Sequence, residues 1–150
     1  MNKVLARCLQ VAVLLVGVAV LAFLLWEPNL EGRNAHATVF QVYFNDPFLA
    51  FAYLGSLAFF AAIYQAFKLL GHAARHGSLP PSASSAFRFI RNCALVLVGF
   101  VAIGEVIIFL QESDDRAGGV AMGSAAVFLA DLNVLLCWGF VLSPMLMGKA

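Results

Sequence analysis

Apolar residues fall into four long runs, at about 4–26, 47–70, 87–110 and 120–142, each closed by a short polar interval. A helix needs about 20 mostly apolar residues to cross a bilayer, and each run is long enough. The pattern predicts an all-α integral membrane protein, a four-transmembrane-helix bundle forming one domain over residues 1–150. The boundaries have chemical reasons. Trp26 ends the first run at interfacial depth, and Glu27-Pro28 is expected to stop that helix, because proline lacks a donor and clashes with the preceding turn. Its apolar core is longer than that of a signal peptide, and the small-x-small stretch Ala35-His36-Ala37 lies far beyond it, so an anchor helix is expected. Asn45-Asp46-Pro47 starts the second run, with Asp46 as cap and Pro47 at the first helical position. Gly71 is the expected stop of that helix, and Ser82, Ser84 or Ser85 the expected start of the next. Ser143-Pro144 ends the fourth run.

Composition agrees with this pattern. The chain has 150 residues, 63% hydrophobic and 11% charged, where a soluble domain carries about 25% charged. The net charge of +1 says little, but its distribution sets an orientation. With the N-terminus inside, Lys3, Arg7, Lys68, Arg75, Arg88, Arg91 and Lys149 are cytoplasmic, and only Arg33 and Arg116 are outside. That bias predicts an N-in/C-in topology. Cys8, Cys93 and Cys137 lie in or beside apolar runs with no Cys-x-x-Cys pair, and are expected to be buried structural thiols without a disulfide.

Several polar residues interrupt the apolar runs. Asp131 lies about 16 Å into the fourth run at 1.5 Å per residue, close to mid-bilayer. An ionised acid there costs at least ~2.5–3.5 kcal/mol, so it faces protein or water, or is protonated. Asn133 points roughly opposite and needs its own partner. Glu105 sits in the outer half of the third run, on a stripe with Arg91, Val98 and Glu112 at seven-residue spacing. In the second run Tyr53, Ser56, Phe60 and Tyr64 share one face, and Ala58, Ala62 and Ala66 another, with Gln65 among them. The alanine stripe is expected to touch a neighbouring helix, with Gln65 bonded across it. Three readings of the intramembrane acids stand side by side: groups that set helix register, a proton or cation relay, and ligand recognition.

At the outer face Glu31, Asp46, Glu112, Asp114 and Asp115 form an acidic rim, with His36 nearby. No spacing there matches a metal motif, so a solvated rim is expected and no metal or other cofactor. At the inner face Lys68, Arg75, Arg88 and Arg91, with His72 and His76, form a basic surface. Such a surface attracts anionic headgroups or an acidic cytoplasmic partner. It is too sparsely charged for nucleic acid and belongs to no recognition module. The chain has no nucleophile–base constellation, no phosphate loop and no His-Glu-x-x-His, which points away from an enzyme.

The stretch Ala52 to Leu70, "AYLGSLAFFAAIYQAFKLL", with Arg91-Asn92-Cys93-Ala94 and Asp114-Asp115-Arg116-Ala117-Gly118-Gly119, resembles the bacterial membrane family called domain of unknown function 2975. Ala58 stands where that family often has proline, and "GSLPPSASS" replaces its usual lysine-rich element. The resemblance covers roughly Tyr53 to the chain end and implies a multi-pass protein of the bacterial cytoplasmic (inner) membrane. It supplies no catalytic residues. Family members often occur beside small helix-turn-helix regulators, which implies a regulatory partnership. The expectation is a non-enzymatic regulatory or interaction protein with the bilayer, a cytoplasmic regulatory protein and further copies of itself as candidate partners. The alternative is a small oligomeric transporter or channel component handling protons or cations through Asp131 and Glu105.

Overall fold

The computed structural model describes residues 2–30, 38, 40 and 47–110. These hold three long helices: α1 (Lys3–Leu30), α2 (Pro47–His76) and α3 (Ala83–Leu110). Each carries a stretch long and apolar enough to cross a membrane. The expected fourth span, 120–142, lies outside the described residues.

α2 lies between α1 and α3 and packs on both. Both pairs are antiparallel, as their contacts show. Along α1 and α2, Gln10 meets Gly71, Gly17 meets Ile63, and the Leu24 carbonyl meets Tyr53. Along α2 and α3, Leu69 clusters with Ala86 and Ile90, and Gly55 meets Phe100. The inward face of α1 is Ala6, Gln10, Val13, Gly17, Val20 and Leu24, spaced alternately by four and three. An average of 3.6, the repeat of the helix itself, keeps one seam against one neighbour along the whole helix.

The interior is made of small side chains. Six of the eight buried hydrophobic residues among those described are alanines: Ala6, Ala73, Ala74, Ala83, Ala86 and Ala94. The large apolar side chains point away, with Leu15 63%, Trp26 68% and Leu110 76% exposed. In water this would be unstable. In lipid it is expected, because acyl chains solvate leucine as well as protein does, and helices associate by close backbone approach. The Ala62 and Ala66 stripe packs against the Leu69–Ala83–Ala86–Ile90 cluster and so meets α3. A methyl group at Gly55 would lie 3.0–3.1 Å from three atoms of Phe100, tighter than van der Waals contact. Phe51 lies tilted against the same ring, with centroids 4.9 Å apart.

Helix ends differ from the sequence expectations at two places. α1 does not stop at Glu27-Pro28 but continues to Leu30. Proline inside a helix orphans the carbonyl four residues earlier, which here is that of Leu24. The Tyr53 hydroxyl donates to that carbonyl at 2.9 Å, so α2 supplies the bond that Pro28 cannot. α2 does not stop at Gly71. It runs on to His76 and ends at Gly77, which has φ 77° and donates its N–H to Ala73 O at 2.8 Å. That is the left-handed cap glycine favours. Gly71 serves close approach instead: a methyl group there would lie 2.7 Å from Gln10 Nε2. α3 starts at Ala83, four residues ahead of the apolar run, with Ser82, one of the three expected starts, as the cap whose carbonyl accepts from Ala86 N at 3.1 Å. Asn2 caps α1, its Oδ1 accepting from Val4 N at 3.0 Å.

The cysteines also depart from expectation. Cys8 is exposed rather than buried, because it lies nearly opposite the Ala6–Gln10 seam. Cys93 is half-buried, and both are free thiols. Cys137 lies outside the described residues.

Candidate functional site

The antiparallel order brings the start of α1, the end of α2 and the start of α3 to one end of the array. Lys3, Arg7, Lys68, Arg75, Arg88 and Arg91 are all carried by these segments. The two carboxylate residues among those described, Glu27 and Glu105, belong to the segments at the opposite end. The six cations are therefore carried at one end of the helix array. Arg75 and Arg88 are exposed, and Arg91 is half-buried, with Nε and Nη2 donating to Asn92 Oδ1 at 3.3 and 3.0 Å. The Lys68 ammonium stands 5.4 Å from the centre of the Tyr64 ring, a cation–π contact.

A cleft of about 520 Å³ opens at this end. One wall is built on Gln10, 7% exposed and the only buried polar residue among those described. Its Nε2 donates to Phe67 O at 3.4 Å, and its Oε1 accepts from Arg7 Nη1 at 3.1 Å. Gly71 leaves the space this carboxamide needs. Two bonds, the one to Phe67 O long, thus link the Arg7 guanidinium to the body of α2. Along the other side of the cleft run Lys68, His72 and Arg75, one helical turn apart or less. His72 stacks on His76 with centroids 4.2 Å apart, and His76 Nδ1 lies 3.1 Å from His72 O. Sequence reasoning passed over Gln10. The signal was available: an amide in an apolar helix, at the position where Ala6 and Gly17 set the seam.

The intramembrane polar residues do not gather into one site among the described residues. The Ser56 hydroxyl donates to Tyr53 O at 2.7 Å within its own helix. Tyr64 is 64% exposed, with its ring beside the Lys68 ammonium. Gln65 is half-buried but has no bond across the alanine stripe to α3; it lines the cleft instead. Arg91, Val98 and Glu105 are all half-buried and flank the α3 seam of Ala86, Ile90, Ala94 and Gly104. Asp131 and Asn133 lie outside the described residues, as do Glu31, Asp46, Glu112, Asp114 and Asp115 of the outer rim. Among the described residues no three of His, Cys, Asp and Glu stand close enough to hold a metal ion.

Comparison with known proteins agrees with this architecture. The chain is 27% identical over 130 residues to a protein of Bacillus subtilis (strain 168), "Uncharacterized membrane protein YoaS", covering 85% of this chain and 81% of that protein. No solved structure matches. The family model "Protein of unknown function (DUF2975)" matches residues 31–143, most of the chain and including all of α2 and α3. With its three apolar helices, the chain is a multi-pass membrane protein that belongs to the DUF2975 family.

Proposed function

We propose that this chain is a non-enzymatic regulatory or interaction protein of the bacterial cytoplasmic membrane, crossing it four times with both ends inside. One observation carries the reading. All six described Lys and Arg side chains belong to one end of the helix array, where no described carboxylate offsets them. By the bias of cations toward the cytoplasm, that end faces inward. It then presents exposed Arg75 and Arg88, beside half-buried Arg91, to cytoplasmic proteins. Such a surface suits an acidic partner, and opposite charge speeds encounter more than it deepens affinity.

The test is charge-dependent capture in native membranes. Cross-linking from the wild-type chain is expected to trap a soluble acidic protein. The variant with Arg75, Arg88 and Arg91 all changed to Gln is expected to lose most of that product while inserting normally. Equal capture by both sinks the interaction reading.

The half-burial of Glu105 inside α3 favours one second reading, a small oligomeric transporter or channel component using Glu105 and Asp131. Liposome flux separates the two: proton- or sodium-driven transport that disappears in Asp131→Asn supports transport, and its absence supports the regulatory role.

A further inference from the structure

The cleft between α1, the end of α2 and the start of α3 is lined by three cations, Arg7, Lys68 and Arg75, and by the imidazole of His72. Gln65 and Ser82 add neutral hydrogen-bonding groups, and none of the described carboxylates lines it. Like charges sharing a cavity repel one another unless an anion enters. The lining is also partly assembled in advance. Arg7 is held through Gln10 to the Phe67 carbonyl, which uses one of its five N–H donors. The other four have no partner among the described residues. A guanidinium fork with free donors matches the oxygens of a phosphate. Fixing that fork before a ligand arrives removes part of the ordering cost of binding.

We propose that this cleft binds an anionic phosphate group, as carried by anionic phospholipid headgroups and by soluble phosphate esters. Its depth suits the first source. Lys68 stands where the apolar run of α2 gives way to His72 and Arg75, the level at which headgroups meet water. Phe67 and Leu69 add an apolar wall that a glycerol backbone can lie against. The site goes beyond the regulatory reading and stands whether or not a protein partner docks on the exposed arginines.

The full chain in an uncharged detergent provides the test. Thermal unfolding is followed while short-chain phosphatidylglycerol, phosphatidylcholine of equal chain length, or inorganic phosphate is added, the last against chloride at constant ionic strength. Saturable stabilisation by phosphatidylglycerol but not phosphatidylcholine is expected, since a ligand that binds only the folded chain raises its stability. Arg7→Gln is expected to weaken this binding about tenfold, the effect of losing one charge-assisted fork. Arg88→Gln, an exposed cation that does not line the cleft, is expected to weaken it by under about twofold. Stabilisation by phosphatidylglycerol alone assigns the site to lipid; stabilisation by inorganic phosphate as well assigns it to the phosphate group itself. Should Arg7→Gln fail to fold by circular dichroism, Arg75→Gln is read in its place with the same expected loss. Absence of saturation by both phosphate probes overturns the proposal, and so does equal weakening by the cleft and Arg88 variants.

Discussion

Replacing Gly55 by leucine is expected to cost on the order of 3 kcal/mol of stability, the upper part of the range for overpacking a close contact. The reason is the distance between α2 and α3. Even a single methyl group at Gly55 would stand 3.0 Å from Phe100 Cδ1 and 3.1 Å from its Cβ and Cγ. Phe100 has little freedom to retreat, because Phe51 lies against it at 4.9 Å. A leucine must therefore push the two helices apart, which also separates Ala62 and Ala66 from the Ala86–Ile90 cluster. Contact in lipid depends on that closeness, with no hydrophobic drive to compensate. The measurement is loss of helicity during denaturation with dodecyl sulfate in mixed micelles. Adding Phe100→Ala is expected to recover much of the loss, since it removes the group that leucine strikes. Wild-type stability in the single variant would mean that α2 and α3 do not approach this closely.

The second large effect concerns the hydroxyl of Tyr53. Tyr53→Phe is expected to cost about 1.5 kcal/mol, near the upper end for a hydrogen bond between membrane helices. The bond is more valuable than most because its acceptor has no alternative. The Leu24 carbonyl would ordinarily take the N–H of residue 28, and Pro28 has none. Without tyrosine a backbone carbonyl is left unpaired against apolar surroundings. The two residues should therefore be coupled. In a chain already carrying Pro28→Ala, the restored N–H bonds Leu24 O, and the cost of Tyr53→Phe is expected to fall to about zero. Additive costs in this double-mutant cycle would show that the tyrosine does not serve the proline-freed carbonyl.

Much of the helical architecture was legible along the chain. Run length located α1, α2 and α3, and Pro47 opens α2 as its fixed φ suggests. The resemblance carried by Ala52 to Leu70 led to the family that the chain belongs to. Helix ends were less legible. Gly71 and Gly77 are both glycines near the end of one apolar run, and either can adopt a left-handed cap. Only Gly77 does, with φ 77°, while Gly71 is spent on making room for Gln10. Pro28 was read as a stop because the group that satisfies the orphaned carbonyl lies 29 residues away, on another helix. The basic residues were expected to form one surface, but the cleft among them depends on Arg7, and Arg7 is linked to α2 through Gln10, an amide of α1 that the sequence reading passed over.

By itself the sequence determined which segments enter the membrane as helices and that the cations of α1, α2 and α3 collect at one end. Both follow from one-dimensional sums: apolar content over about 20 residues, and charge counted between the runs. Tertiary structure alone decided which face of each helix turns inward. In lipid an outward leucine costs nothing, so the inward faces are chosen by shape: glycine and alanine where backbones meet, Gln10 where Gly71 leaves space, and Tyr53 where Pro28 leaves a carbonyl unpaired.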